Sequence, residues 1–319
     1  MRKFIIKLIL VISPFIIIAL PMEYFLRQVP NDYIYKSNYL DEHSNEIEVL
    51  ILGGSHSYFG INPDYFTAKA FNAGNVSQPL NIDFKLLEKY QNNFKNLKAI
   101  IIPMSYPSLW SQLDGDVESW RIKNHVIYQK IDYKFSLQNY TEIFGNKLNI
   151  NVRKLKSYYI NGKNFATCNK LGWGTGNNSI NAQDLDKTGR EAALRHSLEN
   201  PISKSDIDIF NESISILNNI ISWGAEHNVN VILLTSPTYK TYSENLNVWQ
   251  LEKTIEVSTQ LAKKYSNCKY FNLLNDTSFM AEDYYDADHL NEKGAEKFSI
   301  LVNNIVQYDI VVPKQSIDN

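Results

Sequence analysis

Short apolar segments that end in turns alternate with helical patterns over most of this sequence. The predicted strands cover residues 48–52, 70–73, 98–102, 229–234 and 268–272. The predicted helices cover about 80–94, 205–221, 245–265 and a last segment that begins near 291. Strands that alternate with helices pair in parallel, and the helices cover both faces of the sheet. The sequence therefore predicts an α/β fold, a three-layer α/β/α sandwich with a mostly parallel sheet.

Two helix starts carry capping signals. Ser205 and Asp208 form an S-x-x-D pair at the start of the helix predicted over 205–221. Asp288 precedes the last helix and is predicted to cap its N-terminus, because a side-chain oxygen there accepts from the first free N–H groups.

The alternation of strands and helices breaks between about 106 and 204. This stretch holds Trp110, Trp120, Trp173 and many other aromatic residues, and it is too long for a bare loop in a compact domain. We predict an insertion or cap, partly helical, within the α/β domain. The predicted organisation is a membrane anchor, a polar and irregular tether, the α/β domain and a C-terminal tail, at residues 1–27, 28–45, 46–307 and 308–319.

The N-terminal end carries the strongest apolar run. Residues 4–20 include only Lys7, Ser13 and Pro14 as non-apolar members, and extension to Leu26 reaches the ~20 residues that a spanning helix needs. A cleaved signal peptide and a buried core helix are the alternatives. No A-x-A-like cleavage site follows the run, and core helices are more often amphipathic. An uncleaved transmembrane helix is favoured, and the basic residues before it place the rest of the chain outside the cytoplasm.

Composition excludes other classes of protein. The 319 residues contain 32 Lys+Arg and 34 Asp+Glu, so the chain has no broad basic field for nucleic acid. A mean hydropathy of -0.30 excludes a polytopic membrane protein. The two cysteines, Cys168 and Cys268, cannot form a zinc site alone. A disulfide between them is permitted outside the cytoplasm, but the sequence does not establish it.

Chemically active side chains follow the predicted strands, at the edge where ligands bind in open parallel sheets. Ser55 follows the first strand, Gly74 follows the second, and Asp286 and His289 follow the last. A serine hydroxyl becomes a nucleophile when a histidine takes its proton, and an aspartate can orient that histidine. Backbone N–H groups at Ser55 and Gly74 could hold the developing oxyanion. This combination predicts acyl transfer.

The motifs Gly53-Gly54-Ser55, Asn72-Ala73-Gly74 and Asp286-Ala287-Asp288-His289, in this order, resemble those of the SGNH/GDSL hydrolase family. The resemblance covers about 46–105 and 205–307. It implies a flavodoxin-like, SGNH-type sheet and a reaction without a cofactor. It also implies the roles of nucleophile, base and orienting carboxylate for Ser55, His289 and Asp286, with the Ser55 and Gly74 N–H groups as oxyanion donors.

Two motifs depart from the family pattern. The usual G-D-S reads G-G-S here, and the asparagine of G-x-N-D is missing from 102–106, where Ser105, or else Asn75, could replace it. With these changes, the first and third motifs resemble those of the membrane-linked branch of the family. This branch includes alginate acetylation proteins and the D-alanyl-transfer protein of teichoic acid modification. That branch implies O-acyl transfer to, or removal from, a cell-surface or exported polysaccharide. It also implies a bacterial cell membrane and a multi-span membrane O-acyltransferase as partner.

Hydrolysis and transfer share an acyl-enzyme, so the sequence leaves esterase and O-acyltransferase both open. The alternative from another class is a catalytically inactive SGNH-like domain that binds glycan or acts as a scaffold for a membrane acyltransferase.

Neighbouring residues have weaker claims to a role. His56 is a candidate substrate contact or a structural residue, Asn75 is a candidate substrate contact, and Ser57 is a second candidate nucleophile. An acidic pair beside His289 could bind a metal, but no further His or Cys cluster accompanies it in the sequence. We therefore predict no metal site.

Overall fold

The predicted strand segments form one parallel sheet. In this computed structural model the strands are β1 Val49–Ile51, β2 Ala70–Asn72, β3 Ala99–Pro103, β4 Asn230–Thr235 and β5 Cys268–Asn272. Their order is β2-β1-β3-β4-β5, and every neighbouring pair is parallel. This is the order of flavodoxin-like sheets. The predicted α/β fold with a parallel sheet is confirmed.

Helices connect the strands throughout the part of the chain that the structure describes, residues 1–199 and 201–311. The helices are α1 Arg2–Arg27, α2 Asp32–His43, α3 Ser55–Gly60, α4 Leu80–Tyr90, α5 Ile122–Ile127, α6 Leu137–Tyr140, α7 Glu142–Gly145, α8 Leu148–Tyr159, α9 Leu185–His196, α10 Lys204–Glu226, α11 Lys240–Ser243, α12 Val248–Lys264 and α13 Glu292–Val311. The predicted tail at 308–319 lies outside the described residues beyond Val311.

The two faces of the sheet bury different helices. On one face, Ile51 and Ile101 pack in a cluster with Phe298 and Val302 of α13. Residues of opposite parity point to the other face, because side chains alternate along a strand. Gly224 of α10 approaches that face so closely that an added Cβ would lie 3.2 Å from Val231 Cγ2. Helices therefore flank the sheet on both sides, as a buried parallel sheet requires.

Three local predictions are wrong. Ser203, not Ser205, caps α10, in a reciprocal capping box with Asp206. Asn291, not Asp288, accepts from the first free N–H groups of α13, those of Lys293 and Gly294. The segment predicted as an irregular tether contains helix α2. The two capping errors follow from several polar residues competing for one position, which the sequence pattern cannot rank.

The chain forms two compact units. The first, which we call the N-terminal unit, comprises Met1–Ser37 and Asp114–Thr167, and the second, the α/β unit, comprises Asn38–Leu113 and the described part of Cys168–Asn319. The stretch predicted as one insertion is thus divided between them, since 114–167 groups with α1 while 168–199 groups with the sheet.

The N-terminal unit contains a buried ion pair. Lys123 Nζ lies 2.5 Å from Glu142 Oε2, and both side chains are almost fully buried. Tyr128 also donates to the Glu142 carboxylate. Burial raises the pKa of Glu142, but the charges of Lys123 and Lys154 and the hydrogen bonds from Lys123 and Tyr128 together outweigh burial and hold the pKa below its usual value. The carboxylate is therefore charged, and each buried charge has a partner.

Helix α1 is long and apolar enough to cross a membrane, by its length and composition. A signal sequence near the N-terminus would pass the same test. No disulfide joins Cys168 and Cys268, and burial raises the pKa of the Cys268 thiol to about 12.

Candidate active site

A glycine turn delivers Ser55 from β1 to the start of α3. Gly53 has a φ of +102°, and a Cβ added there would lie 2.1 Å from Pro103 Cγ, so only glycine fits. The Gly53 N–H donates to Asp83 Oδ1 at 2.9 Å, and the Gly53 carbonyl accepts from the Asn75 N–H at 3.1 Å. Contacts on both sides of the turn therefore hold the position of Ser55.

The structure brings Ser55, His289 and Asp286 together. Ser55 Oγ lies 2.8 Å from His289 Nε2, and His289 Nδ1 lies 3.0 Å from Asp286 Oδ1. Asp286 Oδ1 also accepts the backbone N–H groups of Asp288 and His289, at 2.9 and 2.8 Å. A charged Asp286 can only accept, so His289 donates through Nδ1, and in its neutral form it offers Nε2 as the acceptor for the Ser55 hydroxyl. This is the geometry of a nucleophile, a general base and an orienting carboxylate.

A second carboxylate, Asp288, lies among three imidazoles. Its side chain is 1% exposed. One oxygen lies 3.0 Å from His56 Nε2, and the other lies 3.7 Å from His196 Nδ1 and 3.8 Å from His289 Nε2. Half of the six histidines in the chain thus surround one buried acidic group. His196 also makes a hydrogen bond of 2.9 Å with the Tyr242 hydroxyl.

His56 completes a second Ser–His–Asp chain beside the first. Ser105 Oγ lies 2.9 Å from His56 Nδ1, and His56 Nε2 faces Asp288. The His56 and His289 rings are stacked, with centroids 5.2 Å apart. Ser105 is 8% exposed and therefore less open to a substrate than a nucleophile normally is. Sequence reasoning gave no reason to join Ser105 to His56, because the two side chains come from different strand ends.

The two carboxylates control the charge of His289. Burial lowers the pKa of His289, but the Asp288 charge and the hydrogen bond with Asp286 outweigh burial and raise the pKa from 6.5 to about 9. Burial raises the pKa of Asp286 and Asp288, and the charges of the neighbouring histidines bring both below their usual value. Burial lowers the pKa of His196 to about 4, so this ring is neutral at physiological pH.

The raised pKa of His289 predicts opposite effects of pH on activity and stability. Only neutral imidazole accepts the Ser55 proton, and each pH unit below the pKa reduces the neutral fraction about tenfold. The kcat/KM for p-nitrophenyl acetate should therefore rise between pH 7 and a plateau above about 9. The stability that the raised pKa confers is complete below the unfolded pKa near 6.5 and is lost as pH rises through about 9. The free energy of unfolding in urea should fall over that interval.

Spontaneous ester hydrolysis also accelerates with pH, so rates of a Ser55→Ala variant serve as the blank at every pH. A kcat/KM that has reached its plateau at pH 7 would contradict the assignment of His289 as a charged residue that must lose its proton.

Gly74 and Asn75, which the sequence predicts to bind the oxyanion and the substrate, make hydrogen bonds within the turn beside Ser55. The Gly74 N–H donates to Asn72 Oδ1 at 3.0 Å, so an oxyanion would have to compete for it. Asn75 is 2% exposed, and its amide donates to Gln78 Oε1 at 2.8 Å. The structure therefore does not bring Asn75 to a substrate. Ser57 is fully buried beneath the turn, which removes it from the substrate side.

Asp83 is a buried residue behind the turn that sequence reasoning missed. It lies on α4, accepts from Gly53 N–H and from Gln78 Nε2, and burial raises its pKa to about 7. The sequence signal that could have identified Asp83 is an acidic residue on the apolar face of an amphipathic helix. His196 carried no such signal, because it lies in the stretch predicted as an insertion.

His56, Asp288 and His289 each bring one potential ligand atom to within 4.8 Å of one another, and such a group could hold a metal ion. Sequence reasoning considered only the acidic pair with His289 and omitted His56. In the present geometry the Ser55 and Ser105 hydroxyls bond to the two rings, so an ion would compete with Ser55 for His289 Nε2. The absence of a metal stays a prediction.

No protein-family model matches this chain, and no curated protein matches it. The solved structures that are similar to it include the following two. One is a Streptococcus pneumonia protein, provisionally described as a platelet activating factor, with 11% identity, a TM-score of 0.41 and coverage of 93% of this chain and 98% of that chain. The other is a Bacteroides fragilis protein, provisionally described as an acylhydrolase, with 9% identity, a TM-score of 0.40 and coverage of 85% and 95%. With such TM-scores these likenesses carry no part of the functional assignment, which rests on the contacts around Ser55.

Proposed function

We propose that this chain is a membrane-anchored serine esterase or O-acyltransferase of the SGNH type. The observation that carries the proposal is the hydrogen-bonded chain from Ser55 Oγ through His289 to Asp286, with distances of 2.8 and 3.0 Å. Ser55 is the nucleophile, His289 the general base and Asp286 the residue that orients it. No cofactor takes part in this chemistry.

The reaction has two acyl-transfer steps. Ser55 Oγ attacks the ester carbonyl and gives its proton to His289 Nε2, while Asp286 stabilises the resulting imidazolium. His289 returns that proton to the departing alcohol, and the acyl group remains on Ser55. Water or a sugar hydroxyl then attacks the acyl-enzyme and passes its proton to His289, which returns it to Ser55. Water as acceptor gives an esterase, and a sugar hydroxyl gives a transferase.

The oxyanion of each tetrahedral intermediate needs donors close to Ser55. The Ser55 N–H stands at the first position of α3, where helix geometry supplies no intrahelical acceptor. The Gly74 N–H is a second donor once it leaves Asn72, and the Ser105 hydroxyl is a third once it leaves His56. His56, the candidate substrate contact beside the nucleophile, would have to give up its bond to Ser105 or to Asp288 to bind the substrate through a ring nitrogen.

Contacts at the end of α1 join residues 23–27 to the rest of the N-terminal unit and oppose cleavage within or after that segment. The Glu23 carboxylate accepts the N–H groups of Glu142 and Ile143 at 3.0 and 2.9 Å, and Arg27 donates to the Tyr140 carbonyl at 2.8 Å. Leu26 is fully buried. Cleavage that removed residues 23–27 together with the apolar run would leave polar groups of the folded unit without these partners, whereas a cut directly after residue 20 would keep them.

The anchor and the motifs together favour a location at a bacterial cell membrane, with the α/β unit on the extracytoplasmic side. There the substrate is an acylated or acceptor polysaccharide of the cell surface, and a multi-span membrane O-acyltransferase is the partner that would supply the acyl group.

A second candidate function is an inactive glycan-binding or scaffold domain. Two observations favour it, the missing asparagine at 102–106 and the engagement of the Gly74 N–H within its own turn. Both weaken the stabilisation of an oxyanion, which is worth about 10²–10³ in kcat per donor.

The acyl-enzyme distinguishes these two functions. After incubation with p-nitrophenyl acetate and an acid quench, peptide mass spectrometry should find acetyl on Ser55. Ser57→Ala is the matched control, because this neighbouring hydroxyl is fully buried, and it should leave the modification of Ser55 unchanged. An unmodified Ser55 at substrate concentrations that acylate a reference serine esterase would favour the inactive domain. Acetyl on Ser105 instead would assign the role of nucleophile to the second hydrogen-bonded series, which runs from Ser105 through His56 to Asp288.

A further inference from the structure

Helix α8 of the N-terminal unit is strongly basic. Residues 147–163 contain five basic residues and no acidic residue. The basic residues are Lys147, Arg153, Lys154, Lys156 and Lys163. A helix of this composition suits an anionic surface when it also carries an apolar face.

Helix α8 exposes such a face. Leu148, Val152, Leu155 and Tyr159 recur at helical spacing and form one stripe, which we call the α8 stripe. Leu148, Val152 and Tyr159 are 65%, 53% and 48% exposed, and Leu155 between them is half-buried. A polar residue beside the stripe is the buried one: Asn151, three positions after Leu148 and four before Leu155, is fully buried, and its amide donates to the carbonyls of Glu142 and Ile143, so this helix buries a polar residue and exposes its apolar stripe. A water-soluble surface helix has the reverse arrangement.

The α8 stripe continues the apolar surface of α1. The rings of Tyr159 and Phe25 lie 5.5 Å apart, and the Tyr159 hydroxyl donates to the Phe25 carbonyl at 3.1 Å. Phe25 and its neighbour Tyr24 are themselves exposed at the end of α1. The exposed apolar surface of one helix therefore meets that of the other.

The contacts also show that α8 crosses the end of α1. Asn151 is bonded to the two residues, Glu142 and Ile143, whose N–H groups bind Glu23, and Tyr159 is bonded to Phe25. Eight residues of α8 cover about 12 Å, whereas the two residues from Glu23 to Phe25 cover about 3 Å of α1. The two ends of the segment 151–159 therefore lie at nearly the same height along the axis of α1, which means that α8 runs across α1.

We propose that α8 lies in the headgroup region of the bilayer that α1 crosses. The α8 stripe faces the acyl chains, and the basic residues of 147–163 bind anionic lipid headgroups, except Lys154, whose Nζ lies 3.7 Å from the buried Glu142 carboxylate. Phe144 and Ile160, 59% and 74% exposed beside the helix, extend the surface. The proposal rests on the proposed anchoring by α1 and is independent of the catalytic role of Ser55.

The test uses the full-length chain, with Cys168→Ser and Cys268→Ser, inserted one copy per lipid nanodisc that contains phosphatidylglycerol. An environment-sensitive fluorophore is attached at Val152→Cys, and doxyl-labelled lipid is the quencher. Ile17→Cys in the middle of α1 reports the anchor, and the exposed Lys263→Cys on α12 reports a position in water. We expect a blue-shifted emission and lipid quenching at position 152 and at 17, and neither at 263.

The outcomes separate the two proposals. Quenching at 17 without quenching at 152 would overturn the membrane contact of α8 and leave the anchor intact. No quenching at 17 would overturn the anchor and, with it, the proposal for α8. A blue shift at 152 without lipid quenching would show that protein covers the α8 stripe, which also overturns the proposal. Leu148→Glu in the chain labelled at 152 should weaken the quenching, while the same change at Ile180, an even more exposed apolar residue of the α/β unit, should not.

Discussion

A Ser55→Ala variant is expected to lose ester hydrolysis, with kcat/KM for p-nitrophenyl acetate falling on the order of 10⁴- to 10⁶-fold. The substitution removes the oxygen that lies 2.8 Å from His289 Nε2, and no other hydroxyl contacts that nitrogen in the described structure. The change removes one partly buried polar atom and fills no new space, so the folded state should be preserved. Stopped-flow or steady-state release of p-nitrophenolate measures the effect, and thermal unfolding checks the fold.

Ser105→Ala is the matched control for that variant. It deletes the same atom from the parallel chain through His56 to Asp288, where Ser105 Oγ lies 2.9 Å from His56 Nδ1. As a donor to the oxyanion or a support for His56, Ser105 should contribute no more than about 10²- to 10³-fold. A larger loss with Ser105→Ala than with Ser55→Ala would assign the nucleophile to the second chain.

The sequence predicts the frame of the site because parallel strands impose their own geometry. Apolar runs that end in turns identified the five strands, and parallel strands bring their carboxyl ends to one edge, where Ser55 follows β1. The D-x-x-H spacing allowed Asp286 and His289 to share a short loop, and their hydrogen bond forms within that loop. These contacts depend on local spacing and strand order, which a sequence displays.

The surroundings of the site depend on long-range packing, which local patterns do not contain. His196 reaches Asp288 from α9, ninety-two residues away in sequence, and lies in a stretch that gave no strand or helix rhythm. Asp288 is of a residue type and at a position typical of a helix cap. Asn291 caps α13 instead, and the Asp288 carboxylate faces the imidazoles. The pairing of 114–167 with α1 is equally long-range, because it rests on Glu23 and Arg27 at the end of an apolar helix.

The two carboxylates beside His289 should have different and separable effects. In Asp286→Asn, the side-chain oxygen can still accept the N–H groups of Asp288 and His289, so the loop keeps its shape. The amide nitrogen, however, takes the place of Oδ2, which lies 3.2 Å from His289 Nδ1, and favours the wrong tautomer there, so we expect the plateau kcat/KM to fall on the order of 10⁴-fold. A fall of less than tenfold would show that Asp286 does not orient the base.

Asp288→Asn acts through charge. Burial lowers the pKa of His289, and the Asp288 charge is the largest influence that opposes it. Its removal should move the ascending limb of kcat/KM from about pH 9 towards neutral pH, so the rate at pH 7 rises relative to the plateau. The hydrogen bond between His289 and Asp286 remains, and therefore the plateau itself should change much less than in Asp286→Asn. Profiles of kcat/KM against pH for the wild type and both variants check this. A pH-independent loss with Asp288→Asn, together with an unshifted limb, would mean that Asp288 positions His289 and does not set its charge.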